Sequence, residues 1–296
     1  MFREESSSVW ARYAPTGVWS ELSSFFASLF LQPSDFVVLI ASPYDLRAYC
    51  DASHDPKWSG SFVVGGWIAT VEHWLYFDQE WDTVLNRPPF YLKYFRHSEF
   101  MACRKQFDGW RAREQDRRDL VGQLMAVMKA RLSYGCAAIS DEVVAKPYAD
   151  KHTVIAHGYR PYVLSGLAVA KQMLKWRDLN HPDRRIHVVF ESGTVDQKEL
   201  RRLCDEFLGF EPTFTPKVQK TPGLSDRYIR PFEAADLLAG EWRKSKKNQA
   251  EGRPVRWIAR TLESELRVET ATLSPDTELL DEIVTEWEQG RSTGDT

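Results

Sequence analysis

The sequence predicts an α/β protein with a mixed sheet, its first three strands antiparallel and helices on both faces. Three observations predict it. Two apolar runs at 46–51 and 61–70 are joined by the turn-rich string DASHDPKWSG, which suggests a hairpin. A third run comes at 134–140. From there helical stretches alternate with short strands, the pattern of helix-connected strands in one sheet.

Residues 1–43 read as a helical appendage, with helices around 9–13 and 18–31 and a short strand at 36–41. The run SFVVGGWIAT at 61–70 is β-branched and aromatic, as a strand prefers. Residues 71–85 form a helix, because Trp74, Phe77, Trp81 and Leu85 recur at spacings of three and four on one face. RPPFYLKYFRHSEF (87–100) reads as irregular. Residues 107–133 read as one charged helix with the apolar stripe Leu120, Leu124 and Met128, making 71–133 a helical insertion.

After the strand at 134–140 come a helix at 162–179, a strand at 185–191 ending in a carboxylate, a helix at 195–208 and a strand at 213–218. The last core helix spans 231–246. Pro231 suits its first position, where the N–H would be unpaired, and Glu233 meets the positive end of the dipole. The core is thus 44–250, and 251–296 reads as a helical tail.

A net charge of -3 and a pI near 6.2 exclude a global basic field, so a nucleic-acid partner needs a local patch. Cys50, Cys103, Cys136 and Cys204 form no CxxC pair, which argues against a zinc ribbon and fits a reducing cytoplasm. The polar start MFREESSS is unlike a secretory leader. The apolar stretch 25–42 is interrupted by Gln32-Pro33-Ser34-Asp35, so no membrane span is expected. Neither GxxxxGK[ST] nor GxGxxG occurs, which leaves ATP and dinucleotides unsupported. No pattern specifies an oligomeric state.

The string RPFEAADLLAG places Asp236 inside a helix otherwise built to be buried. A buried carboxylate must be paired or hold a cation. Asp51 ends the first core strand and Glu191 the fourth. Each has a plain alternative: Asp51 a turn cap, Glu191 an exposed strand end, Asp236 a partner of a buried Arg or Lys. If the two strands are neighbours and the last helix crosses them, the three acids converge. Such a cluster suits Mg2+ or Mn2+, which take oxygen ligands and keep waters. It also suits two-metal phosphodiester hydrolysis.

The motifs YCDAS…SGSFVVGGWI, YFRHSEF, HVVFES and TPGLSDRYIRPFEAADLLAG resemble those of the domain of unknown function 3800 family, over roughly residues 45–245. The resemblance implies an RNase H-like superfold with acids on the first strand, the fourth strand and a late helix. These fall on Asp51, Glu191 and Asp236 as metal ligands. The chain departs from the family pattern where Ala52 replaces a second acid and Glu233 replaces a glutamine. Glu233 shares a helix face with Asp236 and is a candidate fourth carboxylate.

His97 and Glu99 match a further family patch, with His97 as a proton shuttle or a hydrogen-bonded loop histidine. Lys217 and Lys220 flank the fifth strand and either hold phosphate or face solvent. Arg104, Lys105 and Arg111 begin a basic run interleaved with Phe107 and Trp110. That run either tracks a nucleic-acid backbone or is a solvated helix paired with Glu114, Asp116 and Asp119. The expected function is a Mg2+- or Mn2+-dependent nuclease or phosphodiesterase acting on DNA or RNA. The alternative is a non-catalytic module binding nucleic acid or a protein. A metal-free hydrolase using Ser53 or Ser192 with His97 or His54 is a third reading.

Overall fold

The computed structural model describes residues 44–54, 61–141, 160–194, 196–220 and 226–273, together with 281, 282 and 285. The helices expected at 9–13 and 18–31 and the strand at 36–41 lie outside these residues. The chain divides into 1–41 and 42–296, and every described residue belongs to the second unit.

Strands β1 (Leu46–His54) and β2 (Phe62–Thr70) form the expected hairpin, with Asp51 opposite Gly65. Helix α1 (Val71–Asn86) begins at once, capped by the Thr70 hydroxyl, which accepts from the His73 N–H. Its stripe Trp74, Phe77, Trp81 and Leu85 is fully buried, as the spacing requires. Helices α2 (His97–Ala102) and α3 (Glu114–Arg131) lead to β3 (Tyr134–Ser140), antiparallel to β2. Then come α4 (Pro161–Asn180), β4 (Ile186–Glu191), α5 (Gln197–Leu208) and β5 (Thr213–Thr215). A small ribbon of β6 (Val218–Gln219) and β7 (Arg227–Tyr228) precedes α6 (Arg230–Ala250), α7 (Trp257–Glu265) and β8 (Glu269–Thr272).

The sheet order is β5-β4-β1-β2-β3-β8. β1 is antiparallel to β2 but parallel to β4, and β4 is parallel to β5. Three antiparallel strands and then strands reached through helices make the RNase H-like sheet that the sequence leads one to expect.

Successive strand residues point to opposite faces. Leu46, Ala48 and Cys50 join the core beneath α4 and α5, where Cys50 Sγ lies 3.7 Å from Met173 Sδ. Tyr49 points the other way, edge-on to Trp74 of α1 and Phe232 of α6. Asp51 shares that second face. α6 lies close over it: a Cβ on Gly65 would stand 3.0 Å from the Ala239 backbone nitrogen. The Trp67 Nε1–H donates to Ala234 O. Because α6 is covered on nearly every side from Arg230 to Trp242, its apolar residues wrap the whole helix instead of forming a stripe.

Three expectations need correction. The single helix at 107–133 is instead two 3-10 turns, Lys105–Phe107 and Trp110–Ala112, and then α3. Gly109 takes a left-handed φ of 76°, and the chain folds tightly so that Phe107 and Trp110 enter the core. The fifth strand stops at Thr215, before Pro216, which has no N–H for the ladder, and Val218 pairs elsewhere. The tail is not wholly helical. After α7, β8 runs parallel to β3 and extends the sheet by one strand. Its sequence Glu-Thr-Ala-Thr carries two β-branched threonines, as a strand favours.

Candidate functional site

Parallel pairing of β1 and β4 sets Cys50 beside Phe190. One step further along, Asp51 and Glu191 leave the two strands on the same face. Glu191 is in turn paired with Thr215 of β5. Lys217 lies two residues beyond Thr215, so the alternation aims it toward the same side. Its carbonyl, accepting from the Ile229 N–H at 3.0 Å, ties this stretch to the start of α6. Asp236 reaches the spot from above, on α6.

All three acids gather on one nitrogen. Lys217 Nζ lies 2.6 Å from Asp51 Oδ2, 3.3 Å from Glu191 Oε2 and 3.9 Å from Asp236 Oδ2. Asp51 is 2% exposed and Lys217 8%, whereas the Glu191 side chain keeps 23% of its surface in solvent. Asp51 Oδ1 accepts from the Ala52 N–H at 2.7 Å, and Asp236 Oδ2 from the His97 N–H at 2.9 Å. Beside them opens a pocket of about 300 Å3 lined by Asp51, Tyr162, Phe190, Glu191 and residues 192–194.

Burial pushes the Asp51 carboxyl well above the usual range against the pull of Lys217, and Glu191 adds to the rise. Burial alone would lower Lys217. Asp51, Asp236 and Glu191 outweigh it and hold the group firmly as an ammonium. With every group ionised, three carboxylates against one ammonium leave a formal charge of -2. Among the described residues no three His, Cys, Asp or Glu side chains are arranged to hold a metal as they stand. The point the three acids share is taken by the ammonium.

The other expected residues fall elsewhere. Glu233 is engaged by a separate set of donors: Arg230 NH1 at 2.6 Å, Trp81 Nε1 at 2.7 Å and the Phe95 N–H at 2.9 Å. It anchors α6 to the insertion, and the contacts it makes replace the auxiliary-ligand role expected of it. The His97 ring is also turned away. Nε2 lies 2.7 Å from Glu241 Oε1 in a fully buried pair, so the ring is hydrogen-bonded as the alternative had it, but at the start of α2 and not in an irregular loop, and only the backbone N–H serves the acids. Glu99 accepts from Tyr94 Oη and Lys105 Nζ, at 2.8 and 2.7 Å.

That pair commits Lys105, while Arg104, Arg111 and Lys220 are exposed. Phe107 and Trp110 are core residues, so the basic run offers no stacking platform. Arg113, Arg117 and Arg118 pair with Asp116 and Glu114 in the manner of a solvated helix. Ser53 Oγ accepts from Arg243 Nε at 2.8 Å. With His97 committed to Glu241, the serine-hydrolase reading finds no support in these contacts.

Lys217 is the residue that sequence reasoning misplaced. It does not face solvent but is buried among the acids. The available signal was strand parity: Thr213, Thr215 and Lys217 alternate, and the strand beside them ends in Glu191.

The His97–Glu241 pair explains a helical glycine. A Cβ on Gly240 would stand 2.1 Å from His97 Nδ1. Gly240→Ala is therefore expected to destabilise the chain by about 1–3 kcal/mol despite the better helix propensity of alanine. Thermal unfolding of the two forms checks this.

No family model matches the chain, and no curated protein does. Among solved structures, a crystal structure of Bst-RNase HIII in complex with Mn2+ is similar at 12% identity and a TM-score of 0.36, covering 90% of this chain and 81% of that one. At that score the likeness bears on neither site nor activity. No helix among the described residues is long and apolar enough to cross a membrane.

Proposed function

We propose that the chain is a divalent-metal-dependent phosphodiesterase acting on nucleic acid, a nuclease-like member of the domain of unknown function 3800 family. One observation carries the reading: Asp51, Glu191 and Asp236, from three different elements, gather within 3.9 Å of a single cationic nitrogen beside an open pocket.

The donor set fits Mg2+ or Mn2+. Three carboxylates are hard oxygen ligands and their formal charge exceeds that of the ammonium, which now fills the space between them and would have to leave for an ion to be held there. Asp51, Glu191 and Asp236 are the residues that would hold the ion. Bound there, it supplies Lewis acidity toward a phosphodiester. The chain's own part is to position. The Ala52 N–H fixes the Asp51 carboxylate, and the His97 N–H fixes Asp236. Glu191, the most open of the three, lines the pocket.

A polyanionic substrate also needs positive surface. Arg243 reaches Ser53 on β1, the strand that carries Asp51. Burial lowers the Lys244 pKa and the nearby Lys247, Arg253, Arg256 and Arg243 lower it further, although Arg253 and Arg256 are paired with Glu251 and Glu241. We assign the nucleic-acid backbone to this part of α6. Lys244→Ala with Lys247→Ala is expected to weaken DNA or RNA binding alike and flatten the salt dependence by about 1–2 in slope. Affinity measured across a salt series checks it.

The Lys217 ammonium favours a second reading, in which an ion-pair network centred on the lysine supports a non-catalytic binding module. Incubation of end-labelled single-stranded and duplex DNA and RNA with Mn2+ separates the two. Cleavage that EDTA stops and that is absent in Asp236→Asn supports the enzyme. Binding without cleavage of any of the four supports the module.

A further inference from the structure

We infer that Lys217 is a built-in counter-cation that trades places with the divalent ion: its ammonium holds the three acids together in the metal-free chain and withdraws when metal enters. The inference rests on the metal reading proposed above.

The geometry supports exchange over coexistence. Lys217 Nζ lies 2.6, 3.3 and 3.9 Å from an oxygen of Asp51, Glu191 and Asp236, so it fills the space between the acids that an ion drawing the same oxygens together would need. A divalent ion and an ammonium a few ångströms apart in a buried site repel strongly, so both cannot share that point. The acids also need some cation. Asp51 and Asp236 are buried, and without one they would face each other and Glu191 as uncompensated charges.

The lysine is suited to move. It is carried between two very short strands, β5 and β6, on a four-carbon stem with a single point charge. Glu191, whose side chain keeps 23% of its surface in solvent, can keep the ammonium as a partner on the open side of the cluster. The metal-free chain is therefore folded with its ligands already gathered. Its apparent metal affinity is lowered by the work of displacing the ammonium, in the way a partly populated competent state lowers affinity.

The test uses the wild-type chain and one variant. Lys217 is labelled with a brief pulse of acetic anhydride, with and without saturating Mn2+, and quantified by peptide mass spectrometry. In parallel, Mn2+ titrations compare the wild type with Lys217→Met. The expected results are a rise of severalfold in Lys217 labelling when Mn2+ binds and Mn2+ affinity about tenfold or more higher in the variant. Binding by the variant alone also supports exchange, with the lysine closing the site completely. Mn2+ binding that leaves labelling unchanged, or a variant affinity equal to or below wild type, overturns the exchange while the metal reading stands. If neither chain binds Mn2+, the metal reading fails and the exchange with it. The labelling arm needs no variant to fold.

Discussion

Asp51→Asn is expected to lower Mn2+-dependent phosphodiester cleavage by about 10^2–10^3-fold or more while the chain stays folded. Asparagine keeps one oxygen for the Ala52 N–H, so the local backbone bond survives while the bond from Lys217 Nζ to Asp51 Oδ2 is lost. What is lost is a carboxyl that burial holds at a raised pKa and that can supply a negative charge to a bound cation. Lys217 retains Glu191 at 3.3 Å and Asp236 at 3.9 Å, so the ammonium is not stranded. Burial makes the Asp51 charge costly, and Lys217 offsets that cost. Removing it should therefore change stability by only about 1 kcal/mol in either direction. The signature is a split: activity falls steeply and the melting temperature barely moves. Oligonucleotide cleavage rates and circular-dichroism melts read the two arms separately.

Arg230→Met is expected to do the reverse. The Arg230 guanidinium is 7% exposed and bonds Asp82, Glu233 and the Lys93 carbonyl. Glu233 is 1% exposed. Without the arginine it keeps the Trp81 and Phe95 donors but no cation. A buried charge stripped of its partner costs about 3–5 kcal/mol, which for a domain of this size is roughly 10 °C of melting temperature. Adding Glu233→Gln to Arg230→Met should restore more than half of the loss. The carboxylate cluster lies outside these bonds, so folded Arg230→Met should bind Mn2+ like the wild type. An unchanged melt, or a double variant no better than the single, would contradict this account of α6 anchoring.

Much of the scaffold was legible because its signals are local. The Trp74, Phe77, Trp81, Leu85 stripe declares a helix within fifteen residues. The runs that become β1, β2 and β3 declare strands by composition. The meeting of Asp51, Glu191 and Asp236 was legible as a conditional on neighbouring strands, and so was a buried lysine as the partner of Asp236, which the contacts show to be Lys217. What escaped depends on distant partners. Glu233 looked like a ligand because Asp236 is three residues away, but Trp81 and Phe95, 152 and 138 residues off, claim it. His97 looked like a shuttle until Glu241, 144 residues on, took its ring. Lys217 was obscured by Pro216, which cuts the strand pattern just before it, and by the ordinary preference of lysine for water. β8 is four residues long and comes after a real helix, too short for its period to outweigh the helical context.

The function proposed for this chain requires that three acids remote in sequence form one divalent-cation site. Calorimetric titration of Mn2+ into the wild type and into the Asp51→Asn/Asp236→Asn double variant tests that requirement without any assumption about substrate. Saturable binding is expected in the first and none in the second, with both chains folded at the start of the titration. Equal heats from the two chains, or no binding to the wild type at all, would contradict it.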